Sequence, residues 1–182
     1  MRLKLATVAV IVMALTVTIG ASAFTTGSVS RSSNVNVVTD DVGLIGLSDG
    51  TSGGLVYQNS TGALEIDFTK GGANGANTAA TFELGNQTDP TNQSAFNITN
   101  NDAESHDLTV EYTGVNDGNT DANIQFKIYD NTGSSAATVT DESTSDTITG
   151  AASGSTYYVV IVVDTHGLDD TADLSGTLTI SA

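Results

Sequence analysis

Apolar and polar positions alternate with a period of two along most of this chain, and that alternation predicts strands. In 63–68, Leu64, Ile66 and Phe68 fall on one side while Glu65 and Asp67 fall on the other, as in a strand with one buried face. The same pattern sets Ala80, Phe82 and Leu84 inward in 79–84, and Phe96 and Ile98 against Asn97 and Thr99. It recurs in 106–113, where Leu108, Val110 and Tyr112 oppose Thr109 and Glu111, and in 123–129, where Ile124, Phe126 and Ile128 point inward. Residues 33–38, with Val35 and Val37 on one face, read as the first strand, and shorter apolar pieces follow at 42–47 and 55–57. The run 155–163 is apolar on both faces, Tyr157, Val159, Ile161 and Val163 on one and Tyr158, Val160 and Val162 on the other, so it belongs at the centre of a sheet. Near the end, 173–180 sets Leu174, Leu178 and Ile180 against Thr177 and Thr179, and Gly176 marks a bulge or a close backbone approach.

Gly-, Asn-, Asp- and Ser-rich stretches separate these runs. The segment 85–94 holds the single proline, Pro90, and reads as a long surface loop; 136–149 leans towards strand but is nearly all polar, which suits a sheet edge or an extended loop. About eight to ten strands joined by such turns predict an all-β protein, an antiparallel β-sandwich of jelly-roll type.

The first residues differ from all of this. Arg2 and Lys4 precede an apolar run over 5–19, and Ala21-Ser22-Ala23 offers the small-x-small pattern that signal peptidases cut, so residues 1–23 read as a signal-peptide helix with Phe24 as the first mature residue. The alternative is a retained anchor, but the run is short for a span of roughly 20 residues and includes Thr7, Thr16 and Thr18. Cleavage leaves 182 minus 23, or 159 residues, the size of a single domain (24–182), placed outside the cell or on its surface. With no cysteine, the chain has no disulfide, thiolate metal site or cysteine nucleophile.

Charge narrows the setting. The mature part carries all 21 acidic residues against Arg31, Lys70 and Lys127, a net charge of 3 minus 21, or −18. Such a surface repels itself at low salt, and molar salt shortens the Debye length to about 3 Å and removes most of the penalty. The composition therefore reads as adapted to high salt. Nucleic acid and anionic lipid are excluded as general partners, because no cluster of basic residues exists to meet phosphate.

Chemistry is sparse. His106 begins one predicted strand and His166 sits in a polar turn, and neither belongs to a zinc or nucleophile motif. No catalytic residue is assigned, and the expectation is a protein without enzymatic activity or an obligatory cofactor. In 116–123 oxygen-bearing residues alternate, so Asp117, Asn119 and Asp121 are candidate calcium ligands, although the twelfth place from Asp117 is Ile128 where an EF-hand has Glu. The other reading is an ordinary solvated turn. N-x-S/T sequons at Asn59, Asn86, Asn92 and Asn97 are candidate glycosylation sites in an exported chain.

The order Ala21-Ser22-Ala23-Phe24, Gly27, Arg31-Ser32-Ser33-Asn34-Val35-Asn36-Val37-Val38, Asp40-Asp41 and Leu44-Ile45-Gly46-Leu47 resembles a group of exported haloarchaeal proteins, as do Phe96-Asn97-Ile98-Thr99-Asn100-Asn101 and Asp107-Leu108-Thr109-Val110. More distantly the plan is similar to the TasA and camelysin class of secreted jelly-roll proteins, some of which polymerise into biofilm fibres by donor-strand exchange. That resemblance implies a structural protein of the cell surface or matrix, in which residues 24–38, with Phe24, Val35 and Val37, would be the donor strand for the next subunit. Peptidase activity is not implied, since no matching motif is present. The rival expectation is a secreted glycan-recognition or adhesion module, for which Tyr57, Tyr129, Tyr157 and Tyr158 are the candidate contact aromatics.

Overall fold

A computed structural model describes residues 36–51, 53–72, 74–115 and 120–182, and the compact unit within it is Val37–Ala182. The expected signal segment, Phe24 and Val35 of the expected donor strand, and Asp117 and Asn119 lie outside the described residues.

The doubly apolar run forms β10 (Thr156–Asp164), and a six-stranded antiparallel sheet is built around it. One edge of β10 pairs with β7 (Ile124–Tyr129), from Tyr158 opposite Tyr129 to Val163 opposite Ile124. Two strands share the other edge end to end: β5 (Phe96–Asn100) takes Thr156 to Val159, and β4 (Thr81–Leu84) takes Ile161 to Asp164. The sheet continues through β1 (Ile45–Asp49) beyond β5 and β8 (Ser135–Thr140) beyond β7. A second, three-stranded sheet places β6 (His106–Gly114) between β9 (Ser145–Ala151) and β11 (Gly176–Ser181). A short hairpin, β2 (Val56–Gln58) with β3 (Leu64–Ile66), adds Val56, Leu64 and Ile66 to the common core.

The protein is thus an antiparallel β-sandwich. Its inward residues are those the alternation selects: Phe96, Ile98, Leu108, Val110, Phe126, Ile128, Val159 and Ile161 are all buried. Sealing such side chains from water is the main favourable term in folding, at about 25 cal/mol for each Å² of apolar surface. The polar segment 136–149 forms an edge strand of each sheet, β8 and β9, and Thr138 N donates to Asp146 Oδ2 at 2.8 Å where the chain passes between the two.

Two segments differ from expectation. Residues 36–39 form no strand, and Val37 and Val38 are 99% and 51% exposed. Asp40 explains the turn that follows: its N–H donates to Gly62 O at 3.0 Å and its Oδ2 accepts from Leu64 N at 2.8 Å, which fixes the 3-10 turn Asp40–Val42 against the β2–β3 hairpin. Alternation in 33–38 marks a segment able to pair, while pairing needs an available edge. The second difference is the Pro90 loop, which is tied down rather than free. Ala95 N donates to Val159 O at 2.7 Å, Asn86 N to Gln93 O at 2.8 Å, and Lys127 Nζ to Gln87 Oε1 at 2.7 Å. Pro90 is buried, as are Val160 and Val162 on the outer side of β10. Gly85 makes the fit between loop and strand: its φ is +97°, and a Cβ there would stand 3.0 Å from Val160 Cγ2.

Candidate functional site

At one end of the sandwich the core opens into a cleft of about 530 Å³. Its floor is apolar, made by Ile124 and Phe126 of β7, Val163 of β10 and Tyr112 of β6. Ile66 and Phe68 line it from the end of β3, and Leu174 and Leu178 from the approach to β11. Asp67, Asp169, Asp170 and Asp173 contribute carboxylates to the lining, and Asn74 and Asn77 contribute amides.

Tyr112 organises this end. Its ring lies 5.1 Å from that of Phe126, and its hydroxyl donates to Leu174 O at 2.7 Å, holding down the 165–175 loop. Burial, with the fields of Asp141 and Asp173 added, pushes its pKa up to about 12. The close approach expected at Gly176 is present, at the start of β11: a Cβ there would fall 2.6 Å from both the Tyr112 hydroxyl and Thr113 O.

Most of the acids around the cleft serve as turn caps. Asp67 Oδ1 accepts from Thr69 N at 2.7 Å and Thr69 Oγ1 at 2.6 Å; Asp169 does the same with Thr171 at 2.9 and 2.6 Å, and Asp173 Oδ1 accepts from Ser175 N at 2.9 Å. Asp130 repeats the device with Thr132 at 2.8 and 2.6 Å. An ionised carboxylate accepts both bonds, so the hydroxyls of Thr69, Thr171, Thr132 and Ser175 hold these four aspartates below the ordinary carboxylate value. The sign follows from linkage: stability that these turns contribute is present above the unfolded pKa near 3.8 and is lost as pH falls through the lower folded values. Melting at fixed molar salt is therefore expected to be level from pH 7 to 5 and to fall below pH 4, with Asp67→Asn and Asp169→Asn together shrinking the fall. A double variant with the same acid limb as the parent would refute that assignment.

The two strands that border the cleft are each paired on one side only among the described residues. β11 bonds to β6 and ends its sheet, and β3 bonds to β2 alone. Thr177 and Thr179 alternate along β11 with Leu178 and Ile180, which pack on the core.

The remaining sites from the sequence are scattered. His106 Nε2 meets Asp102 Oδ2 at 2.5 Å and His166 Nδ1 meets Asp164 Oδ1 at 2.6 Å, and neither histidine lines the cleft. Asn59 and Asn86 cap their own turns, each Oδ1 accepting from the threonine two places on, Thr61 and Thr88. Asn92 is exposed and donates to Asp89, whereas Asn97 lies within β5 between Ser48 and Tyr158. Lys70 Nζ stands 3.0 Å from the centroid of the Tyr57 ring, and Tyr129, Tyr157 and Tyr158 are half-buried. Asp121 is exposed just before β7.

Sequence reasoning missed the cleft itself, because its polar lining comes from loops far apart in the chain, 67–78 and 165–176. The repeated spacing Asp-x-Thr or Asp-x-Ser at 67, 130, 169 and 173 was the available signal for the capped turns. No known family model matches the chain, and neither does any curated protein or any solved structure.

Proposed function

We propose that the protein is an exported structural component of a haloarchaeal cell surface or extracellular matrix, a non-enzymatic subunit that joins its neighbours by strand addition. The observation that carries this reading is the one-sided pairing of β11 beside an apolar cleft. An open sheet edge offers main-chain N–H and C=O groups to an incoming strand, while pockets beside it take alternate side chains of that strand. The donor is residues 24–38 of the next subunit, with Phe24, Val35 and Val37 as the inserted side chains. The nearly complete exposure of Val37 supports this, since a β-branched apolar residue at that position gains most from a partner. Asn92, exposed in the Pro90 loop, is the sequon best placed to carry glycan on the assembled surface.

Deleting residues 24–38 from the mature protein is expected to abolish assembly and leave a soluble monomer that melts like the parent. Negative-stain electron microscopy at native salt, with immunogold on producing cells, reads the outcome; unchanged filaments or sheets from the deletion variant would refute strand donation. A second reading, glycan recognition, is favoured by the carboxylates and amides that line the cleft, which suit sugar hydroxyls over an apolar floor. Dispersed particles that retain binding on a glycan array would move the assignment there.

A further inference from the structure

The fastening of the Pro90 loop brings two groups that react with each other into contact. Lys127 Nζ donates to Gln87 Oε1 at 2.7 Å, and Glu83 grips the other half of the same carboxamide, its Oε2 accepting from Gln87 Nε2 at 2.8 Å. Gln87 N also donates to Glu83 Oε1 at 2.8 Å, so main chain and side chain together fix where the carboxamide points. The three residues meet on the outer side of the large sheet. In the register of β10, Lys127 lies opposite Val160 and Glu83 opposite Val162, and both valines are buried. Lys127 and Gln87 are themselves half-buried, while Glu83 is exposed at the rim.

An amine on the oxygen of a carboxamide, with a carboxylate on its nitrogen, makes up the parts of a transamidation. The hydrogen bond from Nζ draws electron density onto Oε1 and leaves Cδ open to attack, and the carboxylate is placed to move protons. Nζ sheds one proton to water and swings from the oxygen to the carbon that bears it, forming the Nζ–Cδ bond. Both nitrogens then sit on one carbon, so Glu83 takes a proton from Nζ and passes it to Nε2. The Cδ–Nε2 bond breaks, and ammonia departs and takes up the proton first shed to water, with no change of oxidation state. Amide exchange between free molecules is slow, but fixed contact raises the effective concentration to about 10⁵–10⁸ M where the geometry is good. We propose that Lys127 and Gln87 join in an isopeptide bond, with Glu83 as the proton carrier. The bond would staple the Pro90 loop to β7 across the outer face of β10, in a chain that has no cysteine for a disulfide. It forms within each subunit and does not depend on strand addition.

The test follows the intact mass of the full mature protein, folded in molar NaCl and kept for days at neutral and mildly alkaline pH. The expected result is a loss of about 17 Da, one ammonia, with trypsin failing to cut after Lys127 and fragmentation placing the link at Gln87. Lys127→Arg and Gln87→Met should keep the full mass, and Glu83→Gln should slow the loss about a hundredfold. The parent's own mass decides the matter if a variant fails to fold. An unchanged parent mass, a loss that persists in Lys127→Arg, or a loss mapped instead to Asn74-Gly75, where ring closure of the asparagine also sheds ammonia, would overturn the proposal.

Discussion

Phe126→Ala is expected to lower the unfolding free energy by about 3–5 kcal/mol, the usual cost of removing a buried aromatic side chain. Phe126 is 1% exposed, sits between Ile161 of β10 and Val139 of β8 in the register, and carries the ring against which Tyr112 packs. Truncation therefore removes core contacts and also the support of the residue that anchors the 165–175 loop through Leu174. For a domain of this size the loss corresponds to a fall in melting temperature of roughly 6–20 °C. Denaturant melts in molar salt should show a lower midpoint at unchanged slope. A loss below about 1 kcal/mol would mean that the cleft collapses onto the vacated volume, since cost scales with the cavity that remains. Phe126→Leu, which keeps most of the volume, should recover much of the stability.

The other large effect is expected from salt. With 21 acids against three bases in residues 24–182, unfolding relieves a mutual repulsion that so few cations do not offset. The two described lysines are used locally, Lys70 over the Tyr57 ring and Lys127 on Gln87. Asp67, Asp169, Asp170 and Asp173 meanwhile share one end of the molecule. Lowering NaCl from molar to about 0.1 M lengthens the Debye length from about 3 to about 10 Å and lets these carboxylates interact. Melting temperature followed by far-UV circular dichroism should climb steeply between those concentrations, and the protein should be largely unfolded at the low end. KCl should act like NaCl at equal ionic strength. A midpoint that does not move with salt would rule out charge screening as the source of stability.

The strands were legible wherever one face meets the core and the other meets water. In β5 and β7 buried and half-buried residues alternate without a break, and the sequence alternation marks the same positions. The central place of β10 was legible for a different reason, since two apolar faces must both be covered. What covers the outer face was not legible: the loop over Val160 is held by backbone hydrogen bonds from Asn86 and Ala95, which leave no trace in side-chain pattern. The extended reading of 33–38 shows the limit of periodicity, because Val37 carries the pattern of a strand and lies open to solvent. The burial of Asn123 Oδ1 without a donor was not legible either, because it is a property of the packed chain. Tyr112 was legible as a core residue only, its anchoring role depending on Leu174, 62 positions away.

The place of β10 in the chain has a consequence for how the molecule comes into being. It is the tenth of eleven strands among the described residues, yet β4, β5 and β7 all hydrogen-bond to it and not to one another. Until residue 164 has emerged, the strands made earlier have no common partner, and the large sheet cannot close. Its formation must join segments as far apart as Thr81 and Asp164, a long loop closure that slows folding. A chain threaded amino end first through a membrane pore could form local pairs such as β2 with β3 and β7 with β8 early, but the large sheet would close only once β10, and so nearly all of the chain, had crossed.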